Sequence, residues 1–215
     1  MIKLLIATRS TGKLRELRPL LEAHGYAAID LLEAGVPETP DEDRLEVFDT
    51  FEENAIAKAR YFRERTGLPT LADDSGLAVS ALGGRPGVLS KRWSGRPDLS
   101  GQALDDANNR LLLERLAALE RVEADGSTAA GDRRAHYVCA AAYVDDGREF
   151  VCRGEVHGHI LREPRGAGGF GYDPYFAADE LGGASFGEVS RAEKELVSHR
   201  ARAVRAVLDR LASDS

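Results

Sequence analysis

Cysteine is scarce in this chain: Cys139 and Cys152 are the only two in 215 residues. Neither has a partner at metal-ligand spacing, so a disulfide-stapled scaffold and a thiolate zinc cluster are both excluded. The two read instead as buried, reduced thiols of a cytoplasmic protein. Long apolar runs are missing as well. The apolar stretch Met1–Ala7 is too short for a signal peptide or a membrane span, and residues 2–8 read as a first buried strand. A surplus of basic residues is also absent: 29 Lys and Arg stand against 36 Asp and Glu, a net charge of −7. That excludes a sequence-independent nucleic-acid binder but leaves room for a small nucleotide in a local cationic pocket. There is no internal repeat, coiled coil or low-complexity tract. What is present is an ordinary apolar fraction of 43%. The length suits one large α/β domain, or two closely packed lobes, with a proper core.

The elements follow from punctuation and periodicity. A turn at Ser10–Gly12 separates the first strand from a helix over 13–24, in which Pro19 should cause a kink or an early end. Residues 27–32 suit a second strand, and the acidic, proline-containing stretch 35–45 suits a loop. Thr50 with Glu53 forms a capping box that opens a helix ended by Gly67 and Pro69. Thr70–Asp73 reads as a strand that ends in an acid pair, followed by extended chain to Leu82 and a loop at Gly83–Gly87. A helix reaching Glu120 carries Leu104, Leu111, Leu112, Leu116 and Leu119 on its apolar side. Residues 123–134 read as a mobile connection. Strands at 135–144 and 149–157 meet at the Asp-Gly step of Asp146-Gly147, a hairpin signal. Ser190 with Glu193 opens a final helix to Ala212. The order β-α-β-α-β, then antiparallel strands, then a helix, implies an α/β fold with a mixed sheet flanked by helices.

Four segments carry chemistry. Thr8-Arg9-Ser10-Thr11-Gly12-Lys13 lies at a strand-turn-helix junction. There, backbone N–H groups, a helix dipole, hydroxyls and a lysine can converge on a phosphate, or simply form a capped turn. Its glycine spacing is not that of a Walker loop. Asp73 and Asp74, with Glu46, supply the hard oxygen ligands that magnesium takes beside water and phosphate. Asp-Asp-Ser-Gly alone could equally form a turn with Asx bonds, and Glu46 could be a solvated loop acid. Gly168 to Pro174 offers close backbone approach, Phe170 for stacking and Asp173 as an acceptor for ring N–H groups, or else a turn whose aromatics plug the core. Lys194 and Ser198 share a helix face at i, i+4, whereas His199 and Arg200 point elsewhere on an ideal helix. One ligand reaches all four only if it lies across the helix or if the backbone departs from ideality.

Taken in order, these segments resemble the inosine triphosphate pyrophosphatase family over nearly the whole chain. The stretches that carry the resemblance are Ala7-Thr8 with Gly12-Lys13 and Glu16; Thr50-Phe51 with Glu53-Asn54-Ala55 and Lys58-Ala59; Leu71–Leu77; Ala81–Gly84 with Pro86-Gly87; Gly168–Pro174; and Glu193-Lys194 with Ser198-His199-Arg200. The resemblance implies a single nucleotide pyrophosphatase domain over 1–215, built as an elongated mixed sheet with helices in two lobes and the site in the cleft between them. It implies a magnesium-dependent cytoplasmic homodimer that hydrolyses ITP, dITP and XTP to the monophosphate and pyrophosphate. By resemblance Asp74 is the catalytic acid-base and a metal ligand, with Glu46 as second ligand. Ser75 and Thr8, Arg9, Ser10, Thr11, Gly12 and Lys13 hold the triphosphate. Phe170, Gly171, Tyr172 and Asp173 form the base pocket, completed by Lys194, His199 and Arg200. Ser10 stands where the family usually has asparagine and offers one donor in place of two. Trp93 stands where tyrosine is frequent. Two rivals share parts of this pattern: a pyrophosphatase preferring dTTP or UTP, and a non-catalytic nucleotide sensor, which would lack the acid cluster.

Overall fold

The computed structural model describes residues 2–123 and 132–213. The strands are β1 (Ile2–Ile6), β2 (Tyr26–Asp30), β3 (Thr70–Val79), β4 (Arg85–Pro86), β5 (Arg134–Val144), β6 (Glu149–Ile160) and β7 (Phe176–Ala178). The helices are α1 (Thr11–Ala23), α2 (Phe51–Thr66), α3 (Gly101–Glu123), α4 (Arg191–Val197) and α5 (His199–Ser213). The hydrogen-bonded strand order is β2-β1-β3-β5-β6-β7, with β4 beside β3. β1 runs parallel to β2 and β3, while β4 and β7 pair antiparallel with β3 and β6. The fold is therefore α/β with a mixed sheet, as the element order implied.

Two compact units divide the chain. The first comprises Met1–Ser75, Cys139–Glu155 and Ser198–Ser215. Its core packs Leu4 and Ile6 of β1, Leu17, Leu20 and Leu21 of α1, and Val204, Val207, Leu208 and Leu211 of α5. The second comprises Gly76–Val138 and Val156–Val197, around Leu77, Val79, Leu112, Leu116, Tyr137, Phe176 and Phe186. Thus β3, β5 and β6 each contribute residues to both units.

Several elements depart from the sequence reading. β3 does not end at the acid pair. It runs through Asp73-Asp74-Ser75-Gly76 to Val79, and all of its residues but Ser75 are buried. Burial on both sides overrides the turn preference of Asp, Ser and Gly. Pro19 does not stop α1, which continues to Ala23 because Leu17, Leu20 and Leu21 hold its inner face in the core. α1 also begins at Thr11, so Gly12 and Lys13 form its first turn. The stretch 35–45 contains a short 3-10 helix over Pro40–Arg44. Leu119 of α3 is exposed, whereas Asn108 and Asn109 are buried. The final helix is two helices, because Ser198 starts a new one: its Oγ accepts from Ala201 N at 3.2 Å and its carbonyl accepts from Arg202 N at 3.0 Å. Cys139 is buried but Cys152 is only half-buried, and both are free thiols. The connection expected at 123–134 falls mostly outside the described residues.

Candidate active site

Adjacent strand residues point to opposite faces, and β3 uses this to give its two carboxylates different surroundings. Asp73 is fully buried. Its Oδ2 meets Lys13 Nζ at 2.9 Å and Arg200 Nε at 3.0 Å. Ser75, two residues on and so on the same face, accepts from Arg200 Nη2 at 2.8 Å. Arg200 also pairs with Glu16. Burial would raise the Asp73 pKa, but the charges of Lys13, Arg200 and Lys58 outweigh it and hold this carboxyl well below the usual range. Asp73 is thus a locked anion that ties α1 and α5 to β3.

Asp74 has no such cation on its oxygens among the described residues. Its Oδ2 accepts from Asn54 Nδ2 at 2.9 Å and its Oδ1 from Ser75 N at 2.9 Å. Burial is the largest influence and raises its pKa, Glu46 adds repulsion, and Lys13, Lys58 and Asn54 only partly oppose them. Asp74 is therefore the carboxylate with proton affinity to offer.

α2 arranges this second face. Asn54 and Lys58, one turn apart, are both buried. Asn54 accepts from Phe48 N at 2.9 Å and donates to Phe48 O at 3.3 Å as well as to Asp74, so one carboxamide fixes both the acid and the strap that carries Glu46. Lys58 is ion-paired with Glu46. Burial opposes its charge, yet Glu46, Asp73 and Asp74 raise its pKa above the ordinary lysine value.

Asp74 and Glu46 are the carboxylates here that could hold a hard divalent ion, Glu46 being paired with Lys58 in this structure. Asp74 and Glu46 are close enough for Glu46 to repel charge on Asp74. Among the described residues no three or more His, Cys, Asp or Glu side chains are arranged to hold an ion by themselves. Two carboxylates, with water and phosphate completing the shell, is the manner of magnesium.

The junction between β1 and α1 is a capped turn that presents Lys13. Ser10 Oγ accepts from Lys13 N at 3.3 Å, and Thr8 Oγ1 accepts from Ser10 N at 3.2 Å. Thr11 and Gly12 open α1, leaving helix N-terminal N–H groups beside Ser10. Arg9 turns away: it makes a two-pronged pair with Glu42 at 2.8 and 3.0 Å and donates to Val36 O at 2.9 Å. α5 brings in His199 and Arg200, both buried, at its first turn. It lies so close to β6 that a Cβ on Gly154 would stand 2.2 Å from the His199 carbonyl oxygen. Only glycine permits that seat.

In the second unit, the loop before β7 folds around Asp173, which is buried. Asp173 Oδ2 accepts from Lys194 Nζ at 2.6 Å and from Phe170 N at 2.8 Å, and Tyr137 OH donates to Oδ1 at 3.4 Å. Lys194 Nζ also lies 5.0 Å from the Phe170 ring centroid and 5.2 Å from that of Phe186. Gly169 takes φ +74°, and a Cβ there would collide with the Asp173 carboxylate at 2.2 Å. Tyr172 is buried, with its hydroxyl donating to Ser90 O at 2.8 Å; burial raises its pKa. Of the two aromatics expected in a base pocket, Tyr172 therefore plugs the core, while half-buried Phe170 keeps part of its surface exposed.

Residues 4–210 match the Ham1 family. The chain belongs to this family. Among Ham1 relatives, a protein named dITP/XTP pyrophosphatase from Mycolicibacterium paratuberculosis is 47% identical over 98% of this chain and 96% of its own length. One of the same name from Ralstonia nicotianae is 41% identical over 98% and 97%. The structure of a HAM1 protein from Coxiella burnetii superposes with a TM-score of 0.79 at 35% identity, covering 99% of this chain and all of that one.

Among the Ham1 segments, the structure gathers Lys13, Glu46, Asp73, Asp74, Ser75 and Arg200 in one unit, and Phe170, Gly171, Tyr172, Asp173 and Lys194 in the other. Asn54 and Lys58 stood in the motif that carries the resemblance but were not assigned to the site. Their signal was a polar i, i+4 pair facing inward on α2. Asp105 and Asn109, which contact Gly171, were also missed, and α3 looked from its leucines like a plain core helix.

Proposed function

We propose that this chain hydrolyses non-standard purine nucleoside triphosphates of the dITP and XTP class to the monophosphate and pyrophosphate, removing deaminated purines from the nucleotide pool. The observation that carries this reading is the unequal treatment of two neighbouring carboxylates. Asp73 is neutralised by Lys13 and Arg200, whereas Asp74 is kept at raised proton affinity. The names of the relatives support the purine choice and lend nothing to the pyrimidine alternative.

In this reading the triphosphate lies against Lys13 and the N–H groups that open α1. Asp74 accepts a proton from a water molecule while the water oxygen attacks the α-phosphorus; the bond from that phosphorus to the bridging oxygen breaks, and pyrophosphate departs. Lys13 and Lys58 offset the charge that builds on the oxygens. Magnesium, held by Asp74 and Glu46, would supply charge neutralisation and a sharpened water nucleophile. Asn54 keeps Asp74 aimed. In the second unit Phe170 offers a ring face for the base, and Lys194 offers donors to a 6-oxo group. Adenine presents an amino donor there and would leave such a donor unmatched. A cytoplasmic location, supported by the scarcity of cysteine, and a homodimer, supported by the family resemblance alone, complete the proposal.

The test is pyrophosphate release from dITP with magnesium by Asp74→Asn. A fall in kcat of about 10³-fold with an unchanged melting temperature is expected. Near wild-type turnover would reject Asp74 as the proton acceptor.

A further inference from the structure

Gly171 sits in the middle of the aromatic loop at φ +62°. Both of its backbone polar groups are held from α3. Its N–H donates to Asp105 Oδ2 at 2.9 Å, and its carbonyl accepts from Asn109 Nδ2 at 2.9 Å. Asp105 and Asn109 are i, i+4 neighbours and so present one edge of the helix. The preceding residue is held in the same way by the loop itself: Phe170 N donates to Asp173 Oδ2 at 2.8 Å and Phe170 O accepts from Asp173 N at 3.2 Å. All four backbone polar atoms of Phe170 and Gly171 thus have protein partners. The two N–H groups face carboxylates, which leaves the Phe170 ring as the loop's offering to a flat ligand.

α3 is itself anchored. Asn108 accepts from Ser94 N at 2.8 Å and donates to Lys91 O at 3.0 Å, and the same segment takes the Tyr172 hydroxyl through Ser90 O. Asn109 is 5% exposed, and its Oδ1 has no hydrogen-bond partner among the described residues. Leaving that acceptor unmatched carries a desolvation cost, which the bond from Nδ2 to the Gly171 carbonyl helps to offset.

We infer that Asp105 and Asn109 are positioning residues that set the angle of the Phe170 ring, and with it base selectivity, by clamping the Gly171 peptide from α3. This rests on the reading in which Phe170 meets the purine. Their hydrogen bonds go to Gly171, whereas those of Asp74 go to Asn54 and Ser75, so in this reading their loss acts on recognition and not on bond breaking.

The experiment compares Asp105→Ala, Asp105→Asn and Asn109→Ala with dITP and dATP, and follows hydrogen exchange of the Gly171 amide in the ligand-free protein. Asp105→Ala should raise KM for dITP about tenfold with kcat within about threefold, and should lower the dITP-to-dATP ratio of kcat/KM about tenfold. Asp105→Asn keeps an acceptor for the Gly171 N–H and should restore most of that ratio. Asn109→Ala should fall between the two. Gly171 exchange should quicken more than tenfold in Asp105→Ala but not in Asp105→Asn. An unchanged ratio in Asp105→Ala, with only a lower melting temperature, would overturn the inference and leave the clamp a stability device. If wild-type protein releases no pyrophosphate from dITP, the reading of function fails. The exchange data then decide the clamp alone: equal rates in wild type and Asp105→Ala would refute it.

Discussion

At the scale of single residues, the account turns on two carboxylates one peptide apart. Asp73 is depressed in proton affinity, so its ionised form stabilises the fold. That contribution is in place above the unfolded-state pKa of about 4 and is lost as the pH falls below it. Asp73→Asn would leave buried Arg200 and half-buried Lys13 without their shared counter-charge. We expect a loss of about 3–5 kcal/mol, read by denaturant titration at neutral pH. Asp74 is shifted the other way in the metal-free protein, and a magnesium ion held there would oppose that rise, so the acid limb of a reaction that needs its ionised form should move to lower pH as magnesium is raised. Asn54 lowers the Asp74 pKa through its hydrogen bond. Asn54→Ala should therefore move that limb to higher pH, and a pH profile of kcat/KM that stays in place would show that Asn54 does not act through Asp74. The sequence displayed the acid pair but could not rank its members, because the ranking depends on Lys13 and Arg200, which lie 60 and 127 positions from Asp73.

At the scale of elements, the site depends on how α5 starts and where it is seated. Ser198 breaks the terminal helix and gives Arg200 a place in a first turn, and Gly154 lets that turn rest on β6. Gly154→Val would force apart backbone atoms that now approach within 2.2 Å of the added Cβ. The cost should be about 1–3 kcal/mol or more. Turnover should drop with it, since Arg200 is tied to Asp73; a melting curve and a dITP assay on the same preparation check both. Capping boxes at Thr50 and Ser190 and the Asp-Gly hairpin were legible because their bonds are local. The continuity of β3 through Asp-Asp-Ser-Gly was not, because burial and cations supplied by other elements override local turn preference. β7 escaped notice because three residues, Phe176-Ala177-Ala178, carry too little pattern.

At the scale of the molecule, the alternation of strands and helices places the chain in the α/β class, and the match over residues 4–210 places it in its family. Neither composition nor periodicity assigns a base or a metal; those rest on particular side chains. A homodimer should appear in light scattering as twice the chain mass. The most direct test of the whole account is product analysis of dITP turnover by wild-type protein with magnesium, run beside dATP. The account predicts dIMP and pyrophosphate in equal amounts, with kcat/KM for dATP lower by roughly 10³-fold or more. Release of orthophosphate, or equal use of dATP, would contradict it.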